Sequence, residues 1–539
     1  MEKNHIQSLS SHWADLAALQ VFLDKGDKEI YVVASGITPS GKVHVGNFRE
    51  VITVDLVARA LRSLGKQVKF IYSWDNFDTF RKTPKNLPDP KSFEPYLRQP
   101  IARIPDPWGK SSSYAKTFID AFEEELSQLG INPDFRYQEA NYSSGLYAEY
   151  IREALEKKDE IRRILDAHRT SPLSEDWLPT SIYCTRCQKD ETEYERYGGG
   201  WDYEYRCALC GHEERFDIRE SRNIKLAWRV DWPMRWGFEG VDFEPGGKDH
   251  SSQGGSFDTA KEIIRSIWGK EPPVYLQYDF VMIKGGAGKM SSSSGELYTL
   301  SQVLEVYEPQ IIRWIFASHK PNHDFSISFD EDVIRIYDEF DEMEREAFGL
   351  TKEEKDAGGD EGRKQWLLRN YELSSLGGQL PPEGQPPPQR AKFRLLCTRL
   401  QACGKDIERT FNQFYSKELS RLDYPHFVER AKRAAVWLEK YAPQDFRYTL
   451  HERRVAVEMT AEQEKGIEAL RALLLEIDLE TVDPKTLGEQ IWERSIKACS
   501  CDSKSFFRVV YQKLMGRDQG PRLPSFLKEI GKDKILELI

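Results

Sequence analysis

The sequence predicts an α/β fold: a parallel sheet split by a long insertion and followed by an all-α C-terminal region. Three observations carry this. Residues 29–35 (Glu-Ile-Tyr-Val-Val-Ala-Ser) form a β-branched and aromatic run, ended by a turn with Gly36, Pro39, Ser40 and Gly41. Apolar residues then recur at helical spacing from Gly46 to Leu64, Gly65 closes the pattern, and a second run follows at Val68–Tyr72. Strand, helix and strand in so short a span make a βαβ unit, which calls for a parallel sheet and a right-handed crossover. Strand-like sequence returns near 274–283, behind a helix candidate at 256–268, while the stretch between is rich in Pro, Asp and aromatics.

The expected boundaries follow. Residues 1–85 hold the first half of the sheet domain, 86–240 an insertion, and 241–300 the second half. A helical stem occupies 301–370. The Gly/Pro/Gln tract within 371–390 reads as a linker, and 391–539 as amphipathic helices. No internal repeat is visible. At 539 residues the chain is long enough for about three domains. No apolar run approaches the eighteen or so residues of a membrane span, and the first residues show no basic-then-apolar signal pattern. The expected setting is the cytoplasm. A net charge of −11 argues against nonspecific coating of nucleic acid, and neither DNA nor a membrane is expected as partner. A local basic face remains compatible with RNA: Arg222–Trp236 carries four basic residues, one acid and three tryptophans.

Chemistry concentrates in three places. Thr38-Pro39-Ser40-Gly41-Lys42-Val43-His44-Val45-Gly46-Asn47 lies between the first strand and first helix, where open α/β sheets bind ligands. Its glycines permit close backbone approach, the helix N-terminus favours phosphate, and His44 is expected one turn into that end. Taken alone, the same residues also describe a Gly/Pro turn with an incidental histidine. The second place is Gly285–Gly295, with Lys289, Met290, Ser291, Ser292, Ser293 and Ser294 after the last strand. A lysine and hydroxyls between glycines can grip a polyphosphate as charge develops; the bland alternative is a Ser/Gly linker.

The third is Cys184, Cys187, Cys207 and Cys210, two Cys-x2-Cys pairs that can close a tetrahedral thiolate site. Four sulfurs leave no open position, so the expected Zn²⁺ is structural and His212 a spare. Redox pairs would need a thioredoxin-like context that is absent. Cys397, Cys403, Cys499 and Cys501 read as ordinary thiols.

Together the first two motifs resemble the HIGH and KMSKS signatures of class I aminoacyl-tRNA synthetases, in the expected order. They read His-Val-Gly-Asn and Lys-Met-Ser-Ser-Ser, so Asn47 and Ser292 depart from the usual pattern. The second departure leaves Lys289, Lys284 or Lys42 to carry more of the load on phosphates. Within the class, the chain resembles the class I lysyl-tRNA synthetases along its length, on Ala34–Gly41, Trp228–Trp236 and Gly247–His250. The resemblance implies a Rossmann-type catalytic domain, a helical anticodon-binding region, and ATP (with Mg²⁺), L-lysine and tRNA(Lys) as partners. It implies a catalytic group of His44, Asn47, Lys289, Ser291 and Ser292. ATP would be held by Thr38, Pro39, Ser40, Gly41, His44, Gly46, Asn47, Asp249, Lys289, Met290, Ser292 and Ser293. Gly36, Thr38, Asp75, Trp232, His250 and Tyr278 would line the lysine pocket, with Asp75, Asp231 and Asp242 as alternative partners for an ammonium. Core packing explains Trp232 and Tyr278 equally well. The region that in the resembling family binds the anticodon includes basic, aromatic-bearing segments at Arg390–Arg399 and Lys504–Arg517, though a solvated helix face explains any single charge run as well.

Three rivals stay open. A glutamyl-type enzyme is disfavoured by Ala34, which stands where that type carries a carboxylate-binding arginine. A small-molecule nucleotidylyltransferase needs neither the cysteine insertion nor the helical tail. A noncatalytic tRNA-binding paralogue has no need of two intact motifs.

Overall fold

The computed structural model describes residues 12–84, 87–284, 298–350, 361–382, 385–415 and 418–539. Residues Lys289, Met290, Ser291, Ser292 and Ser293 therefore lie outside the described residues. The chain divides into two compact units. One comprises Met1–Leu304, Pro309–Ile327 and Gly349–Leu380; the other comprises Glu305–Glu308, Ser328–Phe348 and Pro381–Ile539.

The first unit is built on a five-stranded parallel sheet. Its strands are β1 (Ile30–Ile37), β2 (Gln67–Trp74), β3 (Asp134–Tyr137), β4 (Phe243–Gly247) and β5 (Val274–Tyr278), in spatial order β5-β4-β1-β2-β3. This is the doubly wound order, and its reversal falls between β1 and β4, so a crevice opens beyond their C-terminal ends. Val33 is paired with Phe243 and Gly36 with Ser73. Gly36 has no alternative: a Cβ there would meet the Ser73 carbonyl oxygen at 2.7 Å.

Four helices frame this sheet: α1 (Trp13–Lys25), α2 (Val45–Ser63), α3 (Trp228–Glu239) and α4 (Ser256–Trp268). Helix α2 is buried along nearly its whole length, from Val45 to Leu61, so its apolar pattern wraps all faces rather than one stripe. Strand β3, only four residues long, and the helix before it (Tyr114–Gln128) fall within 86–240; the sheet recruits them before the cysteine module begins. The helix Pro309–Ser318 packs in the sheet unit, as does Glu361–Ser374, which runs into the tract expected as a linker. Their buried residues Ile311, Ile312, Leu367 and Tyr371 explain why.

The second unit is helical from Phe393 to Leu538 among the described residues, around a core that includes Leu470, Leu473, Phe506, Val510, Phe526 and Leu538. Arg390, which opens one of the basic segments, is turned inward. It is buried between Glu308 (2.9 Å) and Glu344 (2.8 Å). Arg430 completes this network, 2.6 Å from Glu308 and bidentate on Asp341 at 2.7 and 2.8 Å. No helix among the described residues is long and apolar enough to cross a membrane.

Removing Arg430 would leave Asp341 without its bidentate partner and Glu308 with Arg390 alone. Arg430→Met is expected to cost about 3–5 kcal/mol, read as a lowered midpoint of urea unfolding, because an unpaired buried charge is worse than a missing pair. An unchanged midpoint would show that water reaches the network.

Candidate active site

The turn after β1 leads into α2 through a histidine cap. His44 is the N-cap residue itself rather than lying one turn inside. Its Nδ1 accepts the Gly46 N–H at 3.1 Å, and the Asn47 side-chain oxygen accepts the His44 N–H at 3.2 Å. This reciprocal pair satisfies two donors of the helix end. It also assigns the ring proton to Nε2, a donor suited to an anion held at that end. The described chain resumes after residue 297 beside this cap: the Tyr298 carbonyl accepts the Val45 N–H at 3.0 Å, and His44 bridges Thr299. The chain's first motif and the flank of its second thus meet at one helix end.

A cavity of about 1100 Å³ opens at the crevice, lined by residues of β1, β2, β4, α2 and α3. Of the expected residues, Gly36, Thr38, Ser40, Asn47, Asp75, Trp232, His250 and Tyr278 line it; Pro39, Gly41, His44, Gly46 and Asp249 do not. Asp249 sits exposed on the short helical turn after β4. His250 reaches the cavity from the same turn, its ring 5.9 Å from that of Trp232 and its Nδ1 3.3 Å from the Ser256 hydroxyl.

Asp242 is ruled out as a cavity carboxylate. It binds Lys28 at 2.7 Å and the Val32 N–H at 2.9 Å, near the start of β1 and away from the strand ends. Asp75 and Asp231 share one guanidinium, Arg235, at 2.7 and 3.2 Å, and Tyr142 also donates to Asp231. Asp78 accepts from Thr38 at 2.8 Å and pairs with Lys225 at 2.6 Å. Burial works against ionisation of Asp78, but Lys225 and these hydrogen bonds outweigh it and hold its pKa low.

Four cavity carboxyls were missed from sequence: Asp78, Glu239, Glu50 and Glu244. Glu50, on α2, accepts from the Gly36 N–H at 3.1 Å and from the Tyr278 hydroxyl at 2.7 Å. Burial pushes its pKa up to about 8 despite these donors. Glu244, on β4, accepts from the Trp232 indole at 3.1 Å and from the Trp236 indole, and burial raises it as well. Neither Glu50 nor Glu244 has an ion-pair partner among the described residues. The inner wall therefore gathers Glu50, Glu244, Asp75 and Asp231 beside Arg235, while the other lining cations, Lys42, Arg81 and Lys82, come from the loops after β1 and β2. Such a wall favours a cationic ligand and repels an anionic one.

The cysteine module has its own geometry. Cys184 Sγ lies 3.6 Å from Cys210 Sγ, and Cys187 Sγ 3.6 Å from Cys207 Sγ; all four fall within 4.8 Å of one another. A tetrahedral thiolate site with bonds of about 2.3 Å needs sulfurs roughly 3.8 Å apart, so these four can hold a metal ion. The two halves are built alike. The Gln188 N–H returns to Cys184 at 2.8 Å and the Gly211 N–H to Cys207 at 3.0 Å, each from a left-handed residue (φ 61° and 65°). His212 is outside the cluster, bonded to Thr185 at 3.1 Å.

Comparison with known proteins agrees with this geometry. The family described as tRNA synthetases class I (K) matches residues 11–372. A lysine–tRNA ligase of Borreliella burgdorferi is 44% identical over 97% of this chain and 98% of that protein. Those of Treponema pallidum and Pyrococcus horikoshii are each 40% identical, over 98% of this chain and 98% of theirs. With the family matching most of the chain and relatives of this identity spanning nearly all of it, the chain belongs to the class I (K) tRNA synthetases.

Proposed function

We propose that this chain activates L-lysine with ATP as an enzyme-bound lysyl-adenylate and transfers the lysyl group to tRNA(Lys), releasing pyrophosphate and then AMP. The observation that carries the reading is the surplus of carboxylates over cations in a cavity at the β1/β4 strand ends. A lysine ammonium supplies the missing charge; a glutamate side chain would add to the surplus. Gly36, Thr38, Asp75, Trp232, His250 and Tyr278 line the lysine pocket, joined by Glu50 and Glu244. The indole faces of Trp232 and Trp236 suit the aliphatic stem and add cation–π attraction.

ATP would lie over the turn Thr38–Asn47, with Asp249 toward the ribose. Its triphosphate would lie between His44 at the α2 cap and Lys289, Met290, Ser291, Ser292 and Ser293. Mg²⁺ travels with the nucleotide and offsets phosphate charge. The lysine carboxylate attacks the α-phosphorus in line and pyrophosphate leaves; the terminal tRNA hydroxyl then displaces AMP. No protein nucleophile is needed, so the side chains act by positioning and by charge stabilisation. The four cysteines hold a structural Zn²⁺ that keeps the module's two knuckles together, and the setting is the cytoplasm.

His44→Ala and Lys289→Ala are each expected to lower lysine-dependent ATP–pyrophosphate exchange by about two orders of magnitude or more. The capping loss in His44→Ala should cost only about 1 kcal/mol of stability. Wild-type exchange in either variant would remove that residue from the mechanism. The apparent affinity for lysine should rise with pH up to about 8, because the raised Glu50 carboxyl must lose its proton before it can pair with a cation. Glu50→Gln should flatten this limb and weaken binding roughly 10- to 100-fold, the loss of a charged hydrogen bond. A retained slope would shift the role to another group. Elemental analysis of the purified protein should find one zinc per chain, lost in Cys207→Ser; zinc-free wild type that charges tRNA normally would refute the structural metal.

A further inference from the structure

Beside its acidic inner wall the cavity has a basic edge. Lys42, Arg81 and Lys82 line it, all three exposed, and none forms a hydrogen bond or ion pair among the described residues. They come from two loops, one after β1 and one after β2, which sit side by side in the sheet. The loops are fastened together rather than merely adjacent. The Tyr114 hydroxyl donates to the Ser40 carbonyl at 2.7 Å while its ring packs edge-on against Phe80 at 5.4 Å, and Thr38 donates to Asp78 at 2.8 Å.

The same edge is joined to the cysteine module. The Thr79 hydroxyl bonds Asp190 at 2.7 Å and the Tyr183 hydroxyl at 2.9 Å, residues that flank Cys184 and Cys187. The strand-like pairing of Phe80 with Arg98 and Gln99 continues into Asp190, whose N–H reaches the Arg98 carbonyl at 3.1 Å. Arg81 and Lys82 thus stand on a braced ledge at the cavity's edge, on the loop that Thr79 joins to the module, while Lys42 belongs to the turn leading into the α2 cap.

We propose that Arg81 and Lys82 take phosphodiester groups of the single-stranded 3′ end of tRNA where it enters the cavity beside the cysteine module. The proposal rests on the tRNA-ligase reading above. An RNA strand must approach a wall that repels it, and cations on the approach offset that repulsion without neutralising the lysine pocket. Placement on the loop after β2, braced to the module through Thr79, favours RNA over the ATP triphosphate, which the turn after β1 and the α2 cap receive.

The test is the double variant Arg81→Ala/Lys82→Ala, with Arg81→Lys/Lys82→Arg as the charge-preserving control. The alanine pair should raise KM for tRNA roughly tenfold and make the log–log salt dependence of tRNA binding shallower by about 1.4, two single-strand contacts at about 0.7 each. The control pair should behave as wild type. Lysine-dependent pyrophosphate exchange at saturating tRNA, and KM for ATP, should stay within about twofold, since the ledge makes no contact with the reacting phosphorus. A tRNA lacking its single-stranded 3′ end should bind wild type and variant equally. Full-length tRNA binding unchanged in the alanine pair would overturn the proposal, as would KM for ATP rising in step. Binding read by fluorescence anisotropy needs no charging, so it still decides the matter if lysine proves not to be the amino acid loaded.

Discussion

The N-terminus of helix α2 is the point on which the rest of the catalytic unit depends. Its first backbone donors have no partners within the helix, and the chain answers them from three directions: His44 and Asn47 cap one another's turn, and Tyr298 returns from far along the sequence to take the Val45 N–H. With these donors met, the helix end still carries its positive dipole toward the crevice between the reversing strands. The same helix supplies Glu50, which projects toward Gly36 and Tyr278. One element therefore carries both a positive end and, one turn further in, a buried carboxyl.

Charge separation organises the cavity. Its wall holds carboxyls that are hydrogen-bonded by an N–H, a phenol and two indoles but short of cations. Neutral donors do not offset burial, which raises Glu50 and Glu244, so their negative charge is gained when a cationic partner arrives or the pH rises. A fully ion-paired wall, like the Arg390–Glu308–Arg430 network of the helical unit, would be sturdier and would recognise nothing.

Much of this was legible in the sequence. The β1 and α2 boundaries, the four clustered sulfurs, and the residues Gly36, Thr38, Asp75, Trp232, His250 and Tyr278 follow from runs, spacings and motif resemblance, and these six meet in one cavity. What escaped had a physical cause. Glu50 falls inside a helix whose other residues are mostly apolar, where one acid reads as a solvent-facing position. Glu244 is lodged in a strand of Pro and Gly, and its partners Trp232 and Trp236 come from a helix. Strand β3 offers only Asp-Phe-Arg-Tyr, and becomes a strand because the edge of β2 needs a neighbour. Arg390 looked basic and available, yet tertiary packing buried it.

The order of strands also governs how the chain can be made. β1 meets β2 soon after the helix between them is complete, but its other edge waits for β4, whose Phe243 pairs with Val33. On a ribosome, the entire cysteine module emerges before that edge can close. The central strand of the sheet thus stays half-paired until β4 emerges, and early collapse of the module would shorten the effective tether that β4 must span.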